Sequence, residues 1–448
     1  MRCFVRPTRI IYSGEDSESI RMSTLIKNAH IVTQNAKREI LKGDILIDGG
    51  KIVAIGTVKD SADQEIEANG DVVIPGLINT HSHVAMATMR AVADDVTFPN
   101  FLDRVFALDS KRTEKDIRSG AALGCLEMIR SGTTSFVDLY YSEDVIGKVV
   151  EQAGLRGLLC WAVLDVEYTT QKGVPLDNCK RFCEQFKDSK RVIPGIGLQG
   201  VYVCSTETFV SSNEYSKSSG RRMTFHLSET RKEVYDQKKK EGLRPAEYLA
   251  KIGVLSERCI AAHSAWLTIN EVKILGREKV SVSTCPVSNM KLATGGVAPI
   301  PEMLQNDVNV SIGTDGCTTN NGLDMFGEMK TLSLLQKASR WDPTVLPSQQ
   351  VLDFATLGGA KALGLSDMIG SIEIGKRADL VIMDGRSPSL RPMLPNNIVS
   401  NLVYSAGRGD VKTVLCDGEI VMKDRVVKSI DEERVLEESE GAIRTLLT

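Results

Sequence analysis

From Ser23 onward the chain sets short apolar, β-branched runs between polar turns. TLIKNAHIVT, GDILIDGGKIVAIG and DVVIPG carry the brevity and composition of strands. The triplet Asp48-Gly49-Gly50, between ILI and KIVAI, predicts a tight hairpin turn. The same style returns near the other end in GSIEIGKRADLVIMD and VKTVLCDGEIVMKDRVV, where Asp417-Gly418 supplies the turn. Hairpin-rich pieces flanking a different middle predict one small β-sandwich built from both chain ends.

The middle, about 75–369, changes rhythm. Strands are predicted at IPGLINTH, TTSFVDLYY, LRGLLCWAVL, VIPGIGLQG, MTFHLS, CIAAHS, VSVSTCP and VNVSIGTDG, eight in all. Helical text separates them. In EKDIRSGAALGCLEMIRSG apolar residues recur every three or four positions, and the run ends at Gly132. Eight strand–helix units predict an α/β fold, a (β/α)8 TIM-type barrel with its active site at the C-terminal strand ends. A doubly wound open sheet is the alternative, but no glycine-rich phosphate fingerprint follows an early strand. The expected organisation is a disordered extension over 1–22, the N-terminal part of the β-sandwich over 23–74, and the barrel over 75–369. The C-terminal part of the β-sandwich and a tail occupy 370–448.

Composition narrows the class. A net charge of −3 gives no electrostatic footprint for nucleic acid, so none is expected as a partner. No apolar stretch reaches the length of a membrane span, and the charged N-terminus lacks a signal-peptide core. The ten cysteines include no C-x-x-C pair, so scattered reduced thiols and a cytoplasmic location are expected rather than a disulfide frame. Cys179 and Cys183, four apart on a predicted helix, have no second pair beside them. Exposed barrel helices make a homo-oligomer the expected assembly.

The chemistry is carried by a scarce residue. There are only five histidines, and four of them, His81, His83, His226 and His263, fall at the ends of predicted barrel strands. His30 lies in an early strand and is expected to be structural. Asp315 adds a carboxylate at the end of the last barrel strand. A His-x-His step on a strand sends both imidazoles to one face, so ligands from the first, fifth and eighth strands can meet on one ion. Neutral imidazoles plus a carboxylate suit Zn²⁺ or another first-row divalent ion such as Fe²⁺. A bound ion of this kind makes hydroxide available near neutral pH, which is hydrolytic chemistry. Glu229, three residues after His226, is placed to shuttle a proton; the alternative is a helix-cap role.

PGLINTHSHVAMATMRAVADD, AGLRGLL, HLSET, AHSAWL, CPVSNMKLATGGVAPIPEML and IGTDGCTTNNGLDMFGEMK, with GSIEIGKRADLVIMD and SNLVYSA, carry a resemblance. The chain resembles the amidohydrolase superfamily over residues 23 to about 430. Within it, the pattern is most similar to the S-adenosylhomocysteine/5′-methylthioadenosine/5′-deoxyadenosine deaminases and the related triazine hydrolases. The resemblance implies that His81, His83, His226 and Asp315 hold one metal ion. It implies that His263 hydrogen-bonds the attacking water, that Glu229 shuttles the proton and that Asp315 accepts one from the water. It places Asp109, Arg156, Gln199, Glu229 and Asp315 against a small nucleoside. The implied reaction adds hydroxide to C6 of an adenine ring and expels ammonia, leaving the inosine analogue. Relatives with two ions use a carboxylated lysine at the end of strand four; GIGLQGVYVCS has none, so one ion is expected.

The chain departs from that branch in three places. Gln199 stands where the branch has a purine-contacting histidine, Asp109 where it has a ribose-binding glutamate, and Phe101 where it has a tryptophan. Cys317, two residues after Asp315, replaces a usual alanine and is expected to be a small packing residue. A hydrolase of another nitrogen heterocycle (triazine, pterin or guanine-like) and an inactive barrel used as a scaffold are the competing readings.

Overall fold

The computed structural model describes residues 22–447. The expectation for the stretch ahead of Met22 lies outside the described residues.

Each of the eight expected barrel strands is present. They are β6 (Leu77–Ser82), β7 (Thr133–Tyr140), β8 (Arg156–Val163), β9 (Val192–Leu198), β10 (Met223–Leu227), β11 (Cys259–His263), β12 (Ser281–Thr284) and β13 (Asn309–Ile312), numbered after five strands that precede them. They pair in parallel in chain order, with helices as crossovers. Covered on both faces, such strands read as continuous apolar runs; every residue of β7 is buried.

The barrel closes between its first and last strands. Asp315 N–H donates to the His81 carbonyl at 2.9 Å. Asn79 Nδ2 donates to Thr314 Oγ1 at 2.7 Å, and Thr314 N–H returns to Asn79 Oδ1 at 3.0 Å. Gly313 permits this approach: a Cβ there would stand 2.6 Å from the His81 Cβ and 2.7 Å from Ser283 Oγ. A sequence step that looks like a simple turn is therefore what lets His81 and Asp315 share a mouth.

The small domain draws on both chain ends. β1 (Thr24–Val32), β2 (Ile40–Asp48), β3 (Lys51–Gly56), β4 (Gln64–Glu67) and β5 (Val72–Pro75) come from the first end. β14 (Leu380–Met383), β15 (Val411–Cys416), β16 (Glu419–Lys423) and β17 (Val426–Val427) come from the other. Together they form one mixed sheet, ordered β17-β16-β15-β14-β5-β1-β2-β3, with β4 also on β1. The ends meet where β5 and β14 pair antiparallel, Leu380 opposite Pro75. Gly49 and Gly50 have φ of 57° and 77°, the left-handed pair that a two-residue hairpin turn needs.

The two-residue alternation of these strands assigns two cores. Val73, Leu380 and Ile382 face the sheet's own cluster with Ile26, Ile31, Ile45 and Ile52. Their neighbours Val72, Ile74, Val381 and Met383 turn to the barrel's helices. The segment SIEIG is not a strand: Ile372 is buried and its N–H bonds the Thr33 carbonyl at 2.7 Å, while Ile374 is exposed. A final helix, Glu432–Leu447, leaves the sheet and packs on the barrel, where Arg130 pairs with Glu432.

The nine described cysteines are free and buried. No helix among the described residues is long and apolar enough to cross a membrane.

Candidate metal centre

The barrel's C-terminal mouth gathers the scarce histidines. His81 and His83 come from the end of β6, His226 from β10 and His263 from the last position of β11; Asp315 follows β13 by three residues. Ring centroids of His81 lie 5.0 Å from His83, 4.9 Å from His226 and 5.2 Å from His263. One ligand atom from each of His81, His226 and His263 lies within 4.8 Å of the others, and the same holds for His81, His83 and Asp315. His263 and Asp315 have φ of 64° and 63°, left-handed values that non-glycine residues adopt mainly where the surroundings impose them.

Hydrogen bonds sort the rings by role. His83 Nδ1 lies 2.6 Å from the Leu139 carbonyl and His226 Nδ1 lies 2.7 Å from the Gln199 carbonyl. A carbonyl only accepts, so both Nδ1 atoms carry a proton and both Nε2 atoms are left as the coordinating positions. This is the usual way a ligand imidazole is oriented. His263 is wired in the opposite sense. The Asn289 amide nitrogen stands 3.3 Å from its Nδ1, which leaves Nε2 as the N–H, 3.9 Å from Glu229 Oε2. That ring suits donating a hydrogen bond better than coordinating.

His81 tests whether a metal fits. It is fully buried, and neither ring nitrogen has a hydrogen-bond partner. Its Nε2 stands 3.5 Å from Asp315 Oδ1, too long for a hydrogen bond. A buried polar group left unpaired costs about 1–3 kcal/mol, and a coordinated cation would remove that cost at one of the two nitrogens.

The charges agree. Burial lowers His81 to about 4, against the pull of the Asp315 carboxylate. Burial opposes charge on His83 too, but Asp315, 3.2 Å from its Nε2, and Asp138 outweigh it and lift it to about 9, so this position favours a positive charge, which a coordinated cation would supply in place of the Nε2 proton. His226 falls well below the imidazole range through burial and the neighbouring rings. Burial would raise Asp315, yet His81 and His83 hold it well below the carboxylate range. Ser288 Oγ donates to Asp315 Oδ2 at 2.7 Å and Gly316 N–H donates to Oδ1 at 2.8 Å. Glu229 is raised, chiefly by burial, so it takes up a proton more readily than a surface glutamate. It is not the helix cap. Thr230 is, its Oγ1 accepting from Glu233 N–H.

The predicted substrate contacts divide. Gln199 lies at the mouth, at the end of β9, with its side-chain Nε2 3.4 Å from Tyr202 Oη. Asp109 ends the helix Phe98–Asp109, and its Oδ1 accepts from Tyr140 Oη and Arg112. Arg156 needs correction. It is the first residue of β8, so it lies at the opposite end of the barrel, where it is buried against Asp379 of the sheet domain, with Asp417 at 3.9 Å. It ties the domains together and cannot reach the mouth. Cys317 is a buried packing residue, as expected.

Sequence reasoning missed the groups that hold the candidate ligands. Asp138 Oδ1 accepts from Ser82 Oγ at 2.7 Å and from Val84 N–H at 2.6 Å, fixing the turn that carries His83. A buried acid in an otherwise apolar strand, FVDLY, was its signal. Ser288 and Asn289 lie together in CPVSNM, but the carbonyls of Leu139 and Gln199 leave no trace in side-chain identity.

The pattern described as the Amidohydrolase family matches residues 72–421. The chain is 41% identical over 429 residues to the 5′-deoxyadenosine deaminase of Methanosarcina mazei, covering 94% of this chain and 98% of that one. It is 39% identical over 434 residues to the 5-methylthioadenosine/S-adenosylhomocysteine deaminase of Desulforudis audaxviator, covering 95% and 99%. An adenosine deaminase from Xanthomonas campestris, solved with bound zinc, superimposes with a TM-score of 0.91 at 30% identity, covering 95% and 98%. The zinc-complexed atrazine chlorohydrolase of Arthrobacter aurescens shares the fold, with a TM-score of 0.86 at 23% identity, covering 94% and 100%. The donor set therefore fits a divalent metal ion, and since the matched pattern runs from the sheet domain through every barrel strand, the chain belongs to the amidohydrolase family.

Proposed function

We propose that this chain is a hydrolytic deaminase of 5′-modified adenosines, with His81, His83, His226 and Asp315 holding one ion, zinc by preference. The observation that carries the reaction type is the pairing of Glu229 with His263 beside that donor set. The names of the relatives at about 40% identity carry the substrate class. When bound, the ion supplies the Lewis acidity that ionises water near neutral pH.

The chain's own residues do the rest. Asp315, held anionic, takes the proton of the attacking water. His263 Nε2–H donates a hydrogen bond that orients that water. Glu229 gives its proton to the ring nitrogen next to C6 as the C–O bond forms. Glu229 then takes the proton of the new C6 hydroxyl and regains its protonated form, while Asp315 passes the water proton to the exocyclic amine, which leaves as ammonia when the C–N bond breaks. The product is the inosine analogue. Asp109 uses Oδ2 for the ribose hydroxyls, and the Gln199 amide donates to a ring nitrogen.

The test is ammonia release from 5′-deoxyadenosine, 5′-methylthioadenosine, S-adenosylhomocysteine, adenine and a triazine, using metal-reconstituted protein. Turnover of the modified nucleosides above free adenine supports the reading. Turnover of another ring alone assigns a different substrate class, and absence of both metal and turnover leaves the scaffold reading.

A further inference from the structure

The turn carrying Glu229 is held by a second carboxylate. Glu233 lies in the first turn of the helix Arg231–Glu241, buried at 7% exposure. Its side chain reaches back past the Thr230 cap. Oε1 accepts the Ser228 N–H at 2.9 Å and Oε2 accepts the Glu229 N–H at 2.8 Å. Burial pushes the Glu233 carboxyl up to about 7, and the two amide bonds oppose that shift by favouring the ionised form, whose hydrogen bonds are charge-assisted. An ordinary capping glutamate bonds the N–H of the cap residue itself. Here the carboxylate, which also interacts with the Thr230 amide, directs its two best hydrogen bonds beyond the cap, to the two residues between β10 and the cap.

Those residues need holding. Ser228 has φ of 49°, in the left-handed region. The neighbouring strand end fixes the carbonyls of the same turn: Ser264 N–H donates to Leu227 O at 2.9 Å and Trp266 N–H to Ser228 O at 2.9 Å. The amide side of the turn is met by Glu233. Two adjacent N–H groups gripped by one rigid carboxylate fix the peptide plane from which the Glu229 side chain departs.

We infer that Glu233 is a positioning residue for the proton shuttle, clamping the Ser228–Glu229 main chain so that the Glu229 carboxyl stays beside His263. This rests on the shuttle role proposed for Glu229. Glu233→Gln keeps size but turns one acceptor into a donor facing an N–H. A misplacement of order 1 Å costs roughly a hundredfold, so a partial loss of the clamp should lower kcat about tenfold to a hundredfold. KM and bound metal should stay near their wild-type values. Hydrogen exchange at the Ser228 and Glu229 amides should quicken in the same variant.

A double-mutant cycle separates positioning from plain support of the fold. In the Glu229→Gln background, Glu233→Gln should add no further loss, because it acts through a shuttle already removed. An equal loss in both backgrounds overturns the inference, as does an unchanged kcat. A wild-type rate for Glu229→Gln alone would instead sink the shuttle reading and this inference with it. Glu233→Ala extends the series; if it fails to fold, the near-isosteric glutamine variant still decides.

Discussion

The two ends of the barrel bury charge in opposite ways. At the lower end the charges that face the sheet domain meet their opposites within the protein. Arg156 pairs with Asp379, Arg191 with Glu419 at 2.8 Å, and Arg377 with Asp417 at 3.2 Å. At the upper end His81 has two buried nitrogens with no hydrogen-bond partner, and the Nε2 atoms of His83 and His226 are turned toward the same space. A closed set of partners is architecture; imidazoles and a carboxylate that converge with coordinating atoms unspent suit a cation from outside. The same contrast sets the donor set of the upper mouth apart from Arg156, whose charge is already met at the other end.

Asp315→Ala should break the open set most severely. It deletes a ligand, and an incomplete shell holds its ion poorly. Metal content should fall from about one equivalent to near zero, with activity lost roughly a thousandfold or more. Elemental analysis checks this, and wild-type protein with two equivalents would contradict the single-ion reading.

Asp379→Ala should break the closed set. It leaves Arg156 charged and buried, which costs about 3–5 kcal/mol of stability. Metal content and turnover per folded molecule should hold. Denaturant unfolding measures the first and elemental analysis the second; metal lost at constant fold would show that the ends are not independent.

Glu229→Gln sharpens the distinction within the upper end. It should keep metal and lower kcat by about a hundredfold. A near-wild-type rate would make Glu229 a structural residue. Asp109→Ala is the smallest of the four, since one lost polar partner costs about 1–3 kcal/mol. Its kcat/KM should fall for nucleosides and change little for adenine; an equal fall for both would place Asp109 outside the ribose site.

Much of this was legible in the sequence. Strand ends were legible because β-branched runs bounded by turns are a local signal, and histidine is scarce enough that its placement stands out. The hairpin turn at Asp48-Gly49-Gly50 was legible because few residues tolerate its backbone. Strand polarity was the missing information for Arg156. AGLRGLL marks a strand, but only the end of that strand tells which mouth a residue serves, and Arg156 is its first residue. Side-chain identity is what a sequence displays at Gln199, whereas its carbonyl orients His226 whatever the side chain is. The alternation in SIEIG suggested a strand, yet the one N–H bond from Ile372 to Thr33 anchors a turn instead.

The junction of β5 with β14 has a consequence for how the chain is made. Pro75 faces Leu380, so about 300 residues separate the two halves of one sheet. At roughly 5–20 residues per second, translation leaves the open edge of β5 waiting about 15–60 s for its partner. An unpaired apolar edge is the site where strands from other chains add, and pairing at such sequence separation is slow by nature. A nascent chain stalled anywhere inside the barrel carries that edge exposed, and overexpressed protein truncated before Leu380 should collect in the insoluble fraction.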